Sequence, residues 1–534
     1  MYSVSAKSST TLSAPLQVTM QGKSRPPLPT LLVFIALSLS IFLVALDTVL
    51  IPTALPAISL SFNISDSLYA WTGSAYLLAN AASVPFWGKL SDIFGRKPVI
   101  LTANAIFLAG SIVCGVSVNP AMLVAGRTIQ GLGGGGVVVL VHVCVSDLFG
   151  IRDRSFYLGI IGAVWAVASA LGPVIGGIFA ERLSWRWCFY INLPIISFSI
   201  VVLYCMLHLH TPRTSLSVGL ASMDWLGTVT ILTATIFLLV GLQVGGTSSY
   251  AAPTVIVFIT LGSLLYLTFP VTQWLEEKRG GNPILPLRIF KDISNLSALG
   301  VCACDALIVL GSSPSTAGLY MLAIAIPLAF ISFLSGHVIE RTGHFLEVLQ
   351  AGLCLMTIGV GLLISLATSV DVGLGFGPNF GAPLIALQTR IQESDIATGT
   401  AAFGFVRMVS GAIGVVVGQV VFQLLMVPHL QGFLASGIQD DIAHQLAKGE
   451  AISQISAVSA LPDSQKMLVR NGFMRAIRGT WILYTVVSAL GLIVSFGIHR
   501  TKLHREGIEI SPSSWEKGDE DSTRASQNSS GDGR

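Results

Sequence analysis

Long apolar segments separated by short polar loops run through most of the chain. A helix needs about 20 mostly apolar residues to cross the hydrocarbon core of a bilayer, so these segments are candidate membrane spans. The pattern predicts an all-α transmembrane bundle of fourteen helices. The candidate spans lie at 30–57, 68–88, 98–117, 121–146, 156–180, 187–208, 225–245, 252–272, 296–312, 316–336, 345–369, 371–388, 399–426 and 477–499.

Two of these segments, 296–312 and 371–388, are short. Helices of that length reach only about 26 Å, less than the usual hydrocarbon thickness. Local thinning of the bilayer would absorb such a mismatch. The pattern therefore leaves two possibilities: a complete bundle with two short helices, or a shortened and defective C-terminal half.

Composition supports a bundle in lipid rather than one core surrounded by water. Of the 534 residues, 52% are hydrophobic and only 11% are charged, whereas soluble domains carry about 25% charged residues. The net charge of +3 indicates no nucleic-acid partner. The seven cysteines lie in or beside apolar segments, which favours small hydrophobic residues over a disulfide framework or a metal site.

Basic residues set the predicted orientation. Lys89, Arg152 and Arg213 follow even-numbered spans, whereas the loops 58–67 and 118–120 carry no lysine or arginine. By the positive-inside rule both termini are cytoplasmic, with Arg182 and Arg186 in 181–186 as a local exception. The predicted regions are a disordered arm 1–29, a bundle 30–208, two linking spans within 225–272, a cytoplasmic loop 273–295, a second bundle 296–499 and a disordered tail 500–534.

Two loops at like positions in the two bundles are similar. Residues 88–97 follow the second span, and residues 336–343 follow the tenth. Both combine glycines with acidic and basic residues. This indicates an internal repeat of the kind from which many transporters are built, with the substrate site at the interface; chance recurrence of a glycine-rich loop is the alternative.

The loop 88–97 resembles the signature loop of the major facilitator superfamily. Two glycines permit a tight turn, and an aspartate beside a helix N-terminus can pair with a basic residue. The resemblance implies two pseudo-symmetric six-helix halves plus two extra helices, and a latch that stabilises the outward-facing state. A plain positively charged loop is the alternative. The latch residues are Gly88, Asp92, Gly95, Arg96 and Lys97.

The fifth span resembles the antiporter motif of drug–proton exchangers, with Ala168 where the family has a glycine. Small residues allow helices to approach closely, and proline removes a helix hydrogen bond. The resemblance implies exchange rather than symport, whereas an ordinary packing face is the alternative. The matching residues are Gly159, Gly172, Pro173, Gly176 and Gly177.

Two charged residues within spans resemble proton-coupling motifs of the fourteen-span drug–proton antiporter family. Asp47 lies in the first span, and Arg127 opens a glycine-rich stretch in the fourth. Ionisable groups inside a membrane are costly and indicate function. Asp47 is the predicted proton carrier, and a direct pair with Arg127 is one possible arrangement. A structural, hydrogen-bonded aspartate near the end of a span is the alternative.

Four polar residues are candidates for a substrate cavity: Gln130, Asn379, Gln388 and Arg407. The segment 375–388 resembles a substrate-facing helix of the same family, although its glycines also suit plain packing. His142 in the fourth span fits a hydrogen-bonded packing residue better than a proton relay. Asn63 begins a glycosylation sequon in a predicted outer loop.

The resulting hypothesis is a monomeric efflux transporter that exports drugs, toxins or secondary metabolites in exchange for protons. It uses the proton gradient and no cofactor, in the plasma membrane or alternatively the vacuolar membrane. A nutrient importer and a non-transporting or defective membrane protein are the alternatives. The pattern contains no nucleophile–base pair, metal cluster or Walker loop, so an enzyme or an ATP-driven pump is disfavoured.

Overall fold

The computed structural model describes residues 26–62, 66–209, 214–247, 250–311, 318–364, 378–392, 395–447 and 461–503. Within these ranges the regular structure consists of helices alone, which confirms the all-α class. The predicted arm and tail lie outside the described residues except for 26–29 and 500–503, and so does the sequon at Asn63.

The first half contains α1 to α7. These are Leu28–Phe62, Asp66–Phe94, Arg96–Gly115, Pro120–Leu148, Ile151–Arg182, Trp187–Tyr190 and Asn192–Met206, the last two forming one interrupted span. Short α8 (Leu216–Ala221) precedes two long helices, α9 (Trp225–Thr247) and α10 (Pro253–Lys278), and a 3₁₀ turn follows at Leu287–Phe290.

The second half contains α11 to α18. These are Ile293–Gly311, Gly318–Thr342, Phe345–Leu363, Ala382–Gln388, Ile396–Met426, Leu430–Ala435, Asp440–Ala447 and Asp463–Ser495. Ten of the described helices are long and apolar enough to cross a membrane. The short predicted span 296–312 corresponds to α11, a helix of 19 residues. Of the span 371–388, the described part holds only α14.

The last helix extends well beyond its predicted span. The sequence predicts a span at 477–499, and α18 begins at Asp463, more than three turns earlier. Hydropathy marks where a helix leaves lipid, whereas hydrogen bonds and packing decide where the helix starts. The extra turns pack Val469 and Ala476 against Phe433 of α16 and Leu446 of α17 in a small separate core.

The two halves meet mainly through two pairs of helices. Helix α5 packs along α12, and α2 packs along α15. Within the halves α4 contacts α2 and α3, and α11 contacts α15 and α18. The extra helices α9 and α10 pack on each other, and α9 leans on α2. We call the end at which α2, α4, α12 and α14 finish the inner end, which is the predicted cytoplasmic side.

The turn between α2 and α3 corrects one expectation. Gly95 has a φ of 87° and makes the turn alone. Gly88 was also predicted to permit the turn, but it lies inside α2, which runs to Phe94. Its missing side chain is needed for packing instead, because a Cβ there would clash with the Ala401 side chain of α15.

Candidate functional site

A charged cluster lies inside the first half. The Asp47 carboxylate of α1 forms an ion pair with the Arg127 guanidinium of α4, and the two side chains are 0% and 2% exposed. Arg127 Nη1 also donates a hydrogen bond to Gln130 Oε1 at 2.7 Å. Gln130 Nε2 in turn donates to Asp47 Oδ1 at 3.0 Å. The three side chains close a buried ring, which we call the charge cluster.

Neighbouring helices hold the charge cluster in place. Arg127 Nε donates to the Thr72 carbonyl of α2 at 3.3 Å, and its guanidinium lies 4.2 Å from the centre of the Tyr76 ring. The Ser111 hydroxyl of α3 accepts from Gln130 at 2.9 Å and from Asn192 of α7 at 3.2 Å. The charge cluster is thus held by contacts from three further helices.

Sequence reasoning found part of this cluster. Asp47 and Arg127 were proposed as proton-coupling residues, and their direct pair is present. Gln130 was assigned to the substrate cavity, but it is fully buried inside the charge cluster. Tyr76 and Ser111 were missed. Each is a polar residue within an apolar span, and this pattern is a signal that could have found both. The direction in which each side chain points depends on helix packing.

The loop predicted to act as a latch joins the two halves. Asp92 Oδ1 accepts from Arg96 Nη1 at 2.8 Å, while Asp92 Oδ2 accepts from the Thr398 hydroxyl of α15 at 2.7 Å. Arg96 Nε also pairs with Asp147 of α4 at 2.9 Å. Lys97 points away from this group, with its ammonium 5.5 Å from the Tyr204 ring.

A second set of bonds joins the halves at the inner end. Arg154 Nη1 of α5 donates to Gln388 Oε1 of α14 at 2.9 Å. Gln388 Nε2 donates to Ser146 Oγ of α4 and to Thr400 Oγ1 of α15, each at 2.9 Å. We call these bonds, together with the Asp92–Thr398 bond, the inner closure. Gln388, predicted to face the substrate, belongs to it. Arg152 Nε adds a bond to the Glu340 carbonyl at 2.6 Å, so the loop that resembles 88–97 also takes part.

Residues 279–292, which we call the inner strap, run from α10 across the inner end. Lys89 Nζ donates to the Pro283 carbonyl at 3.1 Å. Arg288 pairs with both oxygens of Asp395, just before α15, at 2.7 Å each. These hydrogen bonds raise the pKa of the Arg288 guanidinium. The strap thereby ties the extra helices to both halves.

The glycines of the antiporter motif have different neighbours. Gly159 faces α12, where an added Cβ would lie 2.7 Å from the Ser332 carbonyl oxygen. Gly172 and Gly176 face α1, where added Cβ atoms would lie 3.0 Å from Val49 Cβ and 2.8 Å from the Leu50 carbonyl oxygen. No heavy atom of the described residues lies within 4 Å of such a Cβ at Gly177. Helix α5 continues through Pro173.

A cavity lies between the halves, near the middle of α4, α5 and α15. Its internal volume is about 30 Å³, room for about one water molecule, so the cavity is nearly closed in this structure. Of the four predicted cavity residues, Arg407 lines it. Asn379 is buried elsewhere, with Nδ2 3.6 Å from Met356 Sδ. The lining is mostly apolar: Val138, Val139, His142, Trp165, Phe380, Leu384, Thr400, Phe403, Gly404, Arg407 and Met408.

The sequence profile of the Major Facilitator Superfamily matches residues 37–415. The efflux pump dotC of Dothistroma septosporum is 42% identical over 497 residues, covering 88% of this chain and 84% of the pump. The MFS-type transporter ppz2 of Metarhizium majus is 40% identical, covering 90% and 87%. The efflux pump FUS6 of Gibberella fujikuroi is 32% identical, covering 89% and 90%.

Solved structures agree on the fold. The human organic anion transporter MFSD10 superposes with a TM-score of 0.54 at 14% identity, covering 88% of this chain and 100% of that chain. At such low identity the likeness concerns the fold alone. Together with the apolar helices, the matches identify a multi-pass membrane transporter related to efflux pumps, not an enzyme. The chain belongs to the major facilitator superfamily.

Proposed function

We propose that this protein exports small organic compounds in exchange for protons. The observation that carries the proposal is the buried ion pair of Asp47 and Arg127. A carboxylate at this depth is costly to keep charged, and its partner is costly to leave unpaired. One proton taken up by Asp47 therefore changes the energy of the whole charge cluster.

Helix contacts connect that proton to the opening of the bundle. Neutral Asp47 no longer compensates Arg127, so α1 is free to shift against α4. Within two turns of Asp47, α1 packs so closely on Gly172 and Gly176 of α5 that added Cβ atoms would lie 3.0 Å or less from it. Further along α5, Gly159 touches α12 of the other half, and Ser332 Oγ donates to the Gly159 carbonyl at 3.2 Å. A movement of α1 thus reaches the interface between the halves.

The inner closure supports an outward-directed state in this cycle. Asp92 bonds to Thr398, and Gln388 bonds to Ser146 across the halves. Opening the cavity to the predicted cytoplasmic side requires breaking both contacts. We infer that protonation and substrate release occur in the present state, and that substrate loading follows release of the inner closure.

The substrate class follows from the cavity and the relatives. A mostly apolar lining suits drugs, toxins or secondary metabolites with substantial apolar surface. Two of the fungal relatives described above are named efflux pumps, which favours export over nutrient import. We place the protein as a monomer in the plasma membrane, with the vacuolar membrane as the alternative site.

A reconstitution experiment tests proton exchange directly. Purified protein is placed in liposomes that contain a pH-sensitive dye, and a substrate gradient is imposed. We expect protons to move in the direction opposite to the substrate. The resulting pH change should disappear when an uncoupler is added, and it should be absent from liposomes without the protein. Substrate movement that is insensitive to an imposed pH gradient would contradict antiport.

A prediction with a smaller expected effect concerns the inner strap. Replacing Arg288 by alanine should loosen the first turn of α15, because the bidentate pair with Asp395 is lost. The Arg288 side chain is 51% exposed, so the pair contributes only about 0.5–1 kcal/mol. We therefore expect hydrogen exchange in residues 395–401 to increase about twofold to fivefold. Arg279→Ala, an exposed arginine on the same strap, is the matched control, and equal exchange in both variants would contradict the role of the pair.

A further inference from the structure

Arg407 is the permanently charged residue among the described residues that line the central cavity. It extends from α15 and is partly buried. Its neighbours in the lining are aromatic and aliphatic, with His142 and Thr400 as the other polar groups. A cation held in such surroundings is costly unless something compensates its charge.

The hydrogen-bonding capacity of Arg407 is largely unused. Its Nη1 donates to the Phe380 carbonyl at 3.4 Å, a long bond, and the guanidinium lies 4.1 Å from the centre of the Phe380 ring. It forms no ion pair with the part of the chain that the structure describes. Its remaining N–H groups are therefore available to an acceptor that enters when the cavity, now about 30 Å³, widens during the transport cycle.

Two other buried arginines provide a comparison. Arg127 has Asp47, Gln130 and the Thr72 carbonyl as acceptors. Arg154 has Gln388 and the carbonyls of Phe149 and Ser146. Both are bound by several protein acceptors. Arg407 differs because, among the described residues, the Phe380 carbonyl is its one hydrogen-bond acceptor.

Asp305 of α11 is not among the residues that line the cavity. It is 4% exposed, and its Oδ1 has no hydrogen-bond partner within the described residues. Helices α11 and α15 are in contact on either side of it, through Cys302 Sγ and the Phe403 carbonyl at 3.9 Å and through Leu307 against Gly414. Asp305 interacts electrostatically with Arg407 but forms no ion pair with it. It is thus a distant counter-charge.

We propose that the exported substrate is an apolar, aromatic compound carrying one acidic group, and that Arg407 binds this group. The planar guanidinium suits a carboxylate, sulfonate or phenolate, and a carboxylate can accept two parallel N–H bonds. Phe380 and Trp165, whose ring centres are 6.4 Å apart, contact the apolar body. Asp305 weakens anion binding, which keeps release possible. The export of this compound rests on the proposed function, whereas its binding to Arg407 does not.

Binding to the purified full-length protein tests the assignment. The probes are 9-anthracenecarboxylate and its methyl ester, which differ in one negative charge. Binding is followed by energy transfer from tryptophan, and Trp165→Phe identifies the part of the signal that arises in the cavity. We expect the acid to bind at least about tenfold more tightly than the ester, the range that one charge-assisted contact gives.

Variants separate the charge of Arg407 from its packing. In Arg407→Gln the preference for the acid should disappear while ester binding changes less than about twofold. Arg407→Lys keeps the charge without the planar fork and should retain part of the preference. Asp305→Asn should tighten binding of the acid and leave binding of the ester unchanged. Size-exclusion profiles verify folding, and if the glutamine variant fails to fold, Arg407→Lys still tests the planar guanidinium by the part of the acid preference that it loses.

Several outcomes overturn the inference. These are an ester that binds as well as the acid, no Trp165-dependent binding of either probe, or an acid preference that survives in Arg407→Gln. Failure of the export proposal looks different. In that case the acid binds through Arg407, but liposomes show no proton-coupled movement of it. Proton-coupled export of neutral or cationic compounds that Arg407→Gln leaves intact would instead reject the anionic substrate class and keep the export function.

Discussion

Asp47→Asn is expected to lower uncoupler-sensitive efflux to the level of cells without the transporter. The amide cannot exchange a proton, so substrate movement loses its energy source. Counterflow of substrate without a proton gradient should persist, because the cavity and the inner closure are unchanged. The measurement is retention of a fluorescent amphipathic dye in a yeast strain without its own pumps, together with counterflow in liposomes.

Stability must be separated from coupling in this variant. The Asp47→Asn substitution leaves the Arg127 charge buried without a counter-ion, and breaking such a pair costs about 3–5 kcal/mol. The double variant Asp47→Asn with Arg127→Gln removes both charges and should recover the amount of protein in the membrane. It should still lack coupled efflux. If the double variant regains coupled transport, the ion pair is structural and the proton is carried elsewhere.

Two single controls complete the comparison. Asp47→Glu retains a carboxylate and should retain part of the coupled transport. Asp440→Asn changes an exposed aspartate at the start of α17 and should leave transport unaltered. Loss of transport in the Asp440→Asn variant would indicate that expression, rather than coupling, limits the assay.

The second large effect is expected at Gly176 of α5. The substitution Gly176→Val should abolish transport or strongly reduce the protein level. A Cβ at Gly176 would clash with Thr53 Oγ1 and lie 2.8 Å from the Leu50 carbonyl oxygen, which forces α1 away from α5. Overpacking of this kind costs about 1–3 kcal/mol or more. It also separates the helix that carries Asp47 from the helix that contacts the second half.

Gly177→Val is the matched control. The position is the next residue of the same helix, so the intrinsic cost of a β-branched residue in a helix is similar in both variants. Within the part of the chain that the structure describes, no heavy atom lies within 4 Å of a Cβ at Gly177. We expect near-normal protein level and efflux, measured by fluorescence-detected size exclusion and dye retention. Equal damage from both substitutions would show that glycine flexibility, not contact with α1, makes this stretch important.

The differences between prediction and structure have a common origin. The spans are apolar on most sides, since lipid and protein interior both favour apolar residues. Periodicity therefore does not show which face of α4 meets α1 and which face meets the cavity. Gln130 and Arg127 lie one turn apart and share the charge cluster, while His142 on the same helix lines the cavity.

Local motifs have the same limitation. Gly88 and Gly95 look alike in the signature loop, but only Gly95 of the two adopts a positive φ. Gly176 and Gly177 are neighbours, but of these two only Gly176 contacts another helix of the described chain. Gln388 belongs to a segment predicted to face substrate, but its amide closes the inner end. A motif indicates which residues matter and leaves their neighbours undetermined.

The amino-acid sequence by itself determined the class of the protein, most span positions and the key ionisable residues. Lipid imposes a minimum length and a low charge on each span, so both are visible along the chain. Only the tertiary structure decided that Arg127 is paired with Asp47, whereas Arg407 forms no ion pair with the described residues. Pairing depends on the rotation of each helix and on contacts between residues up to hundreds of positions apart, and neither is encoded in a local pattern.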